Sequence, residues 1–357
     1  MKPRVVFFAN GGFHSAVLRP IMDELKGRLD VQPATEAHEA GRLKPTILVV
    51  ASHKRLEWFR WKLPETWICS VRHGLVGKRG IEHLPDRDSA RRFDSVCVGD
   101  QTTIDRYLRN RAAPQEMWLT GFPQMDPLFR RDRAPDLGLD RSRPVILFAP
   151  TWNPQMSSTP LLGAEVADLI LGPRSAPSTD GTLVLKAHPT TAMWNPEWLT
   201  TWAQAAAADP RITVLAPTTD VTGVMLAADL MISDASSTIF EYLALDRPMV
   251  LITTPDAASD IDYDPYDLPW RWRDVGDEVT DRAVLASVVA DALAHPTRRA
   301  AERLSRRNEL FGDLQDGQNA RRVADRLVDL AARMRSGKAP PALRFASLPR
   351  GGGSDEG

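Results

Sequence analysis

Short runs of β-branched, aromatic and aliphatic residues, separated by longer amphipathic stretches, restrict this chain to a small set of folds. In the first half the runs are RVVFFA at 4–9, TILVVA at 46–51, WICSV at 67–71, SVCVG at 95–99 and MWLTG at 117–121. Helical periodicity marks Ser15 to Leu29 and Gln101 to Asn110. Strands that are apolar throughout, alternating with helices, predict βαβ units and a mostly parallel sheet covered on both faces. After residue 144 the rhythm resumes with VILFAP, TLVLKAHP, ITVLA, LMISD and MVLIT, with helices expected near 161–171, 197–208, 220–228 and 236–245. Residues 131–144 lose periodicity and fill with charge, Pro and Gly, the composition of a linker. The expected organisation is therefore an α/β domain over 1–130, a linker over 131–144, a second α/β domain with terminal helices over 145–335, and a disordered tail over 336–357.

Composition narrows the function. Lys and Arg (45) nearly balance Asp and Glu (46), which argues against a uniformly cationic face for nucleic acid. Cys69 and Cys97 sit inside hydrophobic runs without metal-ligand spacing and read as core residues of a reduced, cytoplasmic protein. No window reaches the roughly 20 apolar residues that cross a bilayer, so any membrane association is expected to be peripheral, on the inner face of the cytoplasmic membrane. Trp194, Trp198 and Trp202 recur at helical spacing and read as one core-facing stripe, with lipid docking as the alternative.

In parallel sheets, functional residues gather where strands end, and four loops stand out. The first, Arg72 to Gly80, is punctuated by glycine and holds His73, Gly74, Lys78 and Arg79, a composition suited to an anion. In the second, Pro150-Thr151-Trp152 follows VILFA. Lys186 and His188 close the strand TLVLK, where one side chain can neutralise phosphate and the other donate a hydrogen bond or a proton. The fourth is Asp234-Ala235-Ser236-Ser237, at the start of a helix that carries Glu241. Free N–H groups and hydroxyls converge there, either to cap the helix or to bind phosphate. Asn10-Gly11-Gly12-Phe13-His14 lacks the spacing of a nucleotide-binding glycine loop, although His14 remains a candidate to face a cleft. The alternating aspartates 260, 262, 264 and 267 lack the Gly and Glu of a calcium loop and read as a polar loop with Tyr263 and Tyr266 packed inward.

Taken in order, these motifs resemble the CDP-glycerol glycerophosphotransferase family of teichoic-acid and capsule enzymes. The family's HGT-x-x-K-x-x-G loop is similar to His73-Gly74-Leu75 with Lys78 and Gly80, and its GYP-x-x-D to Gly121-Phe122-Pro123 with Asp126. YAPTW resembles Phe148 to Trp152, and K-x-HP resembles Lys186, His188 and Pro189. The segment Ala228 to Tyr242 follows the family's AD-x-x-I-[ST]-D-x-SS-x-x-x-[DE]-Y, and Asp316-Gly317, with Arg321 beyond, stands for a late D-G motif. Leu75 replaces the usual Thr and Glu241 the commoner Asp.

The resemblance implies a GT-B-like fold, two Rossmann-like domains facing a central cleft, and transfer of glycerol phosphate or a similar polyol phosphate from a CDP-activated donor. The acceptor is a hydroxyl of a polyol phosphate, glycan or lipid-linked molecule, and CMP is released. It implies His73 as general base and His188 as its partner on the leaving-group side. Thr151, Lys186, Asp234, Ser236, Ser237 and Glu241 are implied donor contacts. Gly74, Lys78, Arg79, Asp126 and Arg321 are implied phosphate or acceptor contacts. No cofactor or metal is expected. Two alternatives stay open: an inverting glycosyltransferase using a nucleotide sugar, and a non-catalytic module that binds a nucleotide-linked ligand.

Overall fold

Among the described residues, strand pairing in the computed structural model builds two six-stranded sheets, parallel throughout. The structure describes residues 3–53, 55–71, 75, 91–109, 111, 113–261 and 263–343. His73, Gly74, Lys78 and Arg79 lie outside the described residues. The described chain divides into two compact units. One is formed by residues up to Leu75, from 91 to Asp126 and from Phe311 onward, and the other by Pro127–Leu310.

In the first unit β1 (Arg4–Phe8), β2 (Asp30–Ala34), β3 (Ile47–Val50), β4 (Trp67–Val71), β5 (Ser95–Val98) and β6 (Glu116–Leu119) lie in the order β2-β1-β3-β4-β5-β6. Alternate residues serve opposite faces. Val5, Phe7, Ile47, Val49, Trp67 and Cys69 pack under the helices Gly12–Leu25 and Asn319–Arg335. Val6, Phe8, Leu48, Val50 and Ile68 meet Ala40, Phe59 and Tyr107 on the other side. Because both faces are covered, these strands read as continuous apolar runs. Cys69 and Cys97 are buried free thiols with their sulfurs 4.0 Å apart on neighbouring strands.

The last helix departs from the expected organisation: Asn319–Arg335 packs on the first unit rather than the second. Asp126 explains how it is fixed. Its carboxylate accepts from the main-chain N–H groups of Asn319 (2.9 Å) and Ala320 (2.8 Å), two of the orphan donors at that helix's start. Gly121 has φ +76°, and a Cβ there would lie 2.1 Å from Asn319 Oδ1. The Gly-Phe-Pro-x-x-Asp segment thus serves as a socket for a helix almost two hundred residues downstream. The proximal tail also packs instead of being disordered. The buried Arg60–Asp94 ion pair (2.8 Å) binds Leu343 at both main-chain groups, Asp94 Oδ1 accepting its N–H at 2.6 Å and Arg60 Nη1 donating to its carbonyl at 3.3 Å.

The second unit contains β7 (Val145–Phe148), β8 (Thr182–Lys186), β9 (Ile212–Leu215), β10 (Leu230–Ser233), β11 (Met249–Ile252) and β12 (Asp277–Val279), ordered β12-β11-β10-β7-β8-β9. Residues 131–144 precede β7 without helix or strand. The tryptophan stripe is broken. Trp194 ends a separate short helix, Thr191–Trp194, and is 65% exposed, whereas Trp202 in Pro196–Ala208 is buried against Phe148. Asn195, with extended-side φ −140°, separates the two helices and rotates Trp194 out of register. In the aspartate loop Tyr263 packs on Trp270, but Tyr266 is 77% exposed rather than packed inward.

Candidate functional site

The strand order of the second unit reverses direction between β7 and β10: from β7 the chain moves outward to β8 and β9, then returns to lay β10 on the other side. A parallel sheet opens a crevice at the carboxyl ends of such a pair, because the two connections depart toward opposite faces. The loops there are 149–158 and 234–237, which carry Thr151, Asp234, Ser236 and Ser237.

Asp234 joins these loops. Fully buried, its carboxylate accepts from Thr151 N–H (2.7 Å), Ser158 N–H (2.8 Å), Ser158 Oγ (2.8 Å) and Ala235 N–H (2.7 Å). Burial raises the carboxyl above its ordinary range, and the hydrogen bonds from Ser158, Thr151 and Ala235 oppose the rise. Asp234, expected as a donor contact, has both carboxylate oxygens engaged by the protein and joins the two loops. The 149–158 loop is tied on two further sides, by Asn195 Nδ2 to Trp152 O (2.9 Å) and by Thr254 Oγ1 to Gln155 O (2.8 Å).

Ser236 and Ser237 do different jobs. The Ser236 hydroxyl is buried and accepts from Thr238 Oγ1 (2.9 Å) and, more distantly, from Thr238 N–H (3.4 Å), so it stabilises the turn. Ser237 is exposed at the start of Thr238–Tyr242. That helix has only 5 residues before a 3₁₀ turn, Leu243–Leu245. Its aligned dipoles are few, so any affinity for phosphate here rests on local N–H and hydroxyl groups rather than on a long helix's macrodipole.

At the end of β8, Lys186 and His188 diverge in role. Lys186 is buried, and its ammonium donates to Ala187 O (2.8 Å) and Pro217 O (2.9 Å), fastening the β8 and β9 connections. Burial brings the ammonium down to about 8, with the Asp220 carboxylate opposing. Two of its three N–H donors are thereby engaged by the main chain. His188 is half-buried, and its Nδ1 accepts the Thr190 N–H at 3.1 Å. A neutral imidazole held this way carries its proton on Nε2, which makes that nitrogen a donor. Glu241 is half-buried, and burial together with the like charge of Asp220 pushes its carboxyl up to about 7.

Asp126, Arg321 and His14 belong to the first unit. Asp126, expected as a phosphate or acceptor contact, caps Asn319–Arg335, and Arg321 is exposed on that same helix. His14 is buried in Gly12–Leu25 of the first unit. Sequence reasoning missed Ser158, Asp220 and Arg273. Ser158 and Arg273 bond the Asp234 segment from distant positions, and only Asp220 left a local signal, as an Asp two residues before Thr222, whose N–H it accepts. Among the described residues, no group of three or more His, Cys, Asp or Glu side chains could hold a metal ion, and no helix is long and apolar enough to cross a membrane.

Residues 46–329 match the model of the family described as CDP-Glycerol:Poly(glycerophosphate) glycerophosphotransferase. Among solved structures, a variant of the wall teichoic acid polymerase TagF superposes with a TM-score of 0.68 at 16% identity, covering 94% of this chain and 90% of that one. A TagF variant soaked with CDPG gives 0.66 at 18% identity, with 93% and 90% covered. A putative UDP-N-acetylglucosamine 2-epimerase from Listeria monocytogenes gives 0.62 at 13% identity, with 96% and 99% covered. These likenesses establish an α/β fold of the GT-B-like class. Comparison with curated proteins finds no match.

Proposed function

Because the chain belongs to the CDP-glycerol:poly(glycerophosphate) glycerophosphotransferase family, and so is a transferase, we propose that it moves glycerol phosphate from CDP-glycerol to an acceptor hydroxyl in cell-envelope polymer synthesis. The acceptor oxygen forms a bond to the phosphorus that bears glycerol, the bridging P–O bond breaks, and its electron pair leaves with CMP. The hydroxyl proton goes to a base, and charge builds on the departing phosphate.

The observation that carries this reading is the hydrogen bond that Thr190 N–H donates to His188 Nδ1. With Nδ1 engaged by Thr190 N–H, Nε2–H is the donor, placed at a strand end next to the switch point. A donor in that place stabilises charge that develops on a leaving phosphate oxygen. Ser237 and the main-chain N–H groups of its turn hold the diphosphate, while Glu241, protonated in part near neutral pH, faces a ribose hydroxyl. His73, matched to the family's HGT loop, is the base. In this scheme no step runs through a metal. We assign the protein to the cytoplasmic side, with teichoic-acid or capsular polymers as acceptors and peripheral membrane contact where the acceptor is lipid-linked.

Purified protein incubated with CDP-glycerol and a glycerol phosphate oligomer should release CMP. His188→Ala should lower kcat by roughly 100-fold, the usual worth of one transition-state donor. Undiminished turnover in that variant would remove His188 from the mechanism. Release of UDP or GDP from a nucleotide sugar, with no CMP from CDP-glycerol, would instead indicate a glycosyltransferase.

A further inference from the structure

Arg273 has no place in the motifs read from the sequence, yet its guanidinium is buried, at 9% exposure, beside the loop that follows β10. Its partners belong to three neighbouring strands or the residues just after them. Nη1 donates to the main-chain carbonyl of Asp234 at 2.6 Å, after β10. Nη2 donates to Thr253 Oγ1 at 2.8 Å, after β11, and Nε to Glu278 Oε1 at 3.3 Å, in β12. The Thr253 hydroxyl donates to the same Glu278 oxygen at 2.6 Å, closing the network.

The acceptor on the Asp234 side is the informative one. The peptide unit between Asp234 and Ala235 has its carbonyl bonded to Arg273 and its N–H bonded at 2.7 Å to the Asp234 carboxylate. Both polar ends of one rigid plane are held, which fixes two backbone dihedrals next to Ser236 and Ser237. A buried guanidinium is expensive to desolvate unless its donors are matched, and here each of its three nitrogens finds an acceptor. Resting on the donor reading above, we infer that Arg273 is a positioning residue. It clamps the Asp234–Ala235 peptide so that the Ser236–Ser237 turn presents a single shape to a nucleoside diphosphate, without touching the ligand itself.

The test pairs amide hydrogen exchange with CDP binding by calorimetry in Arg273→Ala, Arg273→Lys and Thr253→Val. In Arg273→Ala, exchange over residues 235–238 should rise by about tenfold or more, and CDP affinity should fall by a similar factor, the scale of one charged hydrogen bond. Exchange in β7 and β8 should stay unchanged. Lysine keeps the charge but carries its donors on one nitrogen, which cannot reach acceptors that the guanidinium bonds through three, so it should restore little, whereas Thr253→Val, which keeps the bond to Asp234, should lie near wild type. Unchanged exchange at 235–238 in Arg273→Ala overturns the inference, whatever the ligand. Faster exchange with undiminished CDP affinity also overturns it, because the clamp would then not serve binding. If the wild type binds no CDP, the donor reading fails separately, and the exchange comparison still decides whether Arg273 holds the turn. If the alanine variant does not fold, the same exchange and affinity comparison between Arg273→Lys and Thr253→Val decides, with equal behaviour of the two contradicting the clamp.

Discussion

Removing the Asp234 carboxylate should cost more stability than any other single truncation at the switch point. Asp234→Ala deletes the acceptor of four hydrogen bonds at a fully buried site. It strands the N–H groups of Thr151, Ser158 and Ala235, each at a cost of roughly 1 to 3 kcal/mol; the Ser158 hydroxyl can rotate toward another partner. Allowing for non-additivity, the loss is about 4 kcal/mol. A unit of this size loses roughly 2 to 4 °C per kcal/mol, so the second unit should melt roughly 8 to 16 °C lower.

Asp234→Asn retains one oxygen but turns an amide donor toward the other donors, and should lose about half as much. Thermal unfolding by circular dichroism measures both, and CDP binding by calorimetry separates two roles. A carboxylate that frames the site from beneath predicts weaker CDP binding in both variants. A carboxylate lying against the ligand would repel the diphosphate, so its removal would tighten binding. An Asp234→Ala protein that melts within 2 °C of wild type, or that binds CDP more tightly, would refute the staple.

Glu241 links stability to pH. Its carboxyl is raised in the folded protein to about 7, so the folded state holds that proton while the unfolded chain releases it. This contribution is full below the ordinary glutamate range and is lost as pH rises through 7, up to about 3 kcal/mol. Glu241→Gln should flatten the melting profile over that window, and an unaltered profile would show that Glu241 is not the group responsible. Asp126→Ala should cost about 1 to 2 kcal/mol in thermal unfolding by uncapping Asn319–Arg335, with the donor KM unchanged; the opposite pattern would make Asp126 a ligand contact. Truncation after Lys338 removes the Leu343 main-chain partners of Arg60 and Asp94 and should lower the melting temperature by a few degrees, roughly 1 kcal/mol per lost bond.

Strands with two buried faces were legible because their sequences are apolar throughout. Two edge strands were not: β2, DVQPA, carries a proline and fully buries only Ala34, and β12 is the three-residue DEV. Motifs pointed to loops at strand ends but not to what their side chains bond there. Asp234, Lys186 and Asp126 have the residue types that bind phosphates or cations, and the fold turns each toward main-chain groups that would otherwise be orphaned. Whether a carboxylate faces a ligand or a backbone N–H depends on which distant segment packs beside it, and local sequence holds no record of Ser158 or Asn319. His188 is the exception. The N–H two residues beyond it is close enough in sequence to set its tautomer, and the K-x-HP motif carries that geometry with it.

The nucleotide that leaves identifies the reaction. With CDP-glycerol and a hydroxyl acceptor, chromatography of the products should show CMP formed in step with acceptor elongation by one glycerol phosphate, and His188→Ala should slow both together. Elongation without CMP, or CMP release that His188→Ala leaves at the wild-type rate, would contradict it.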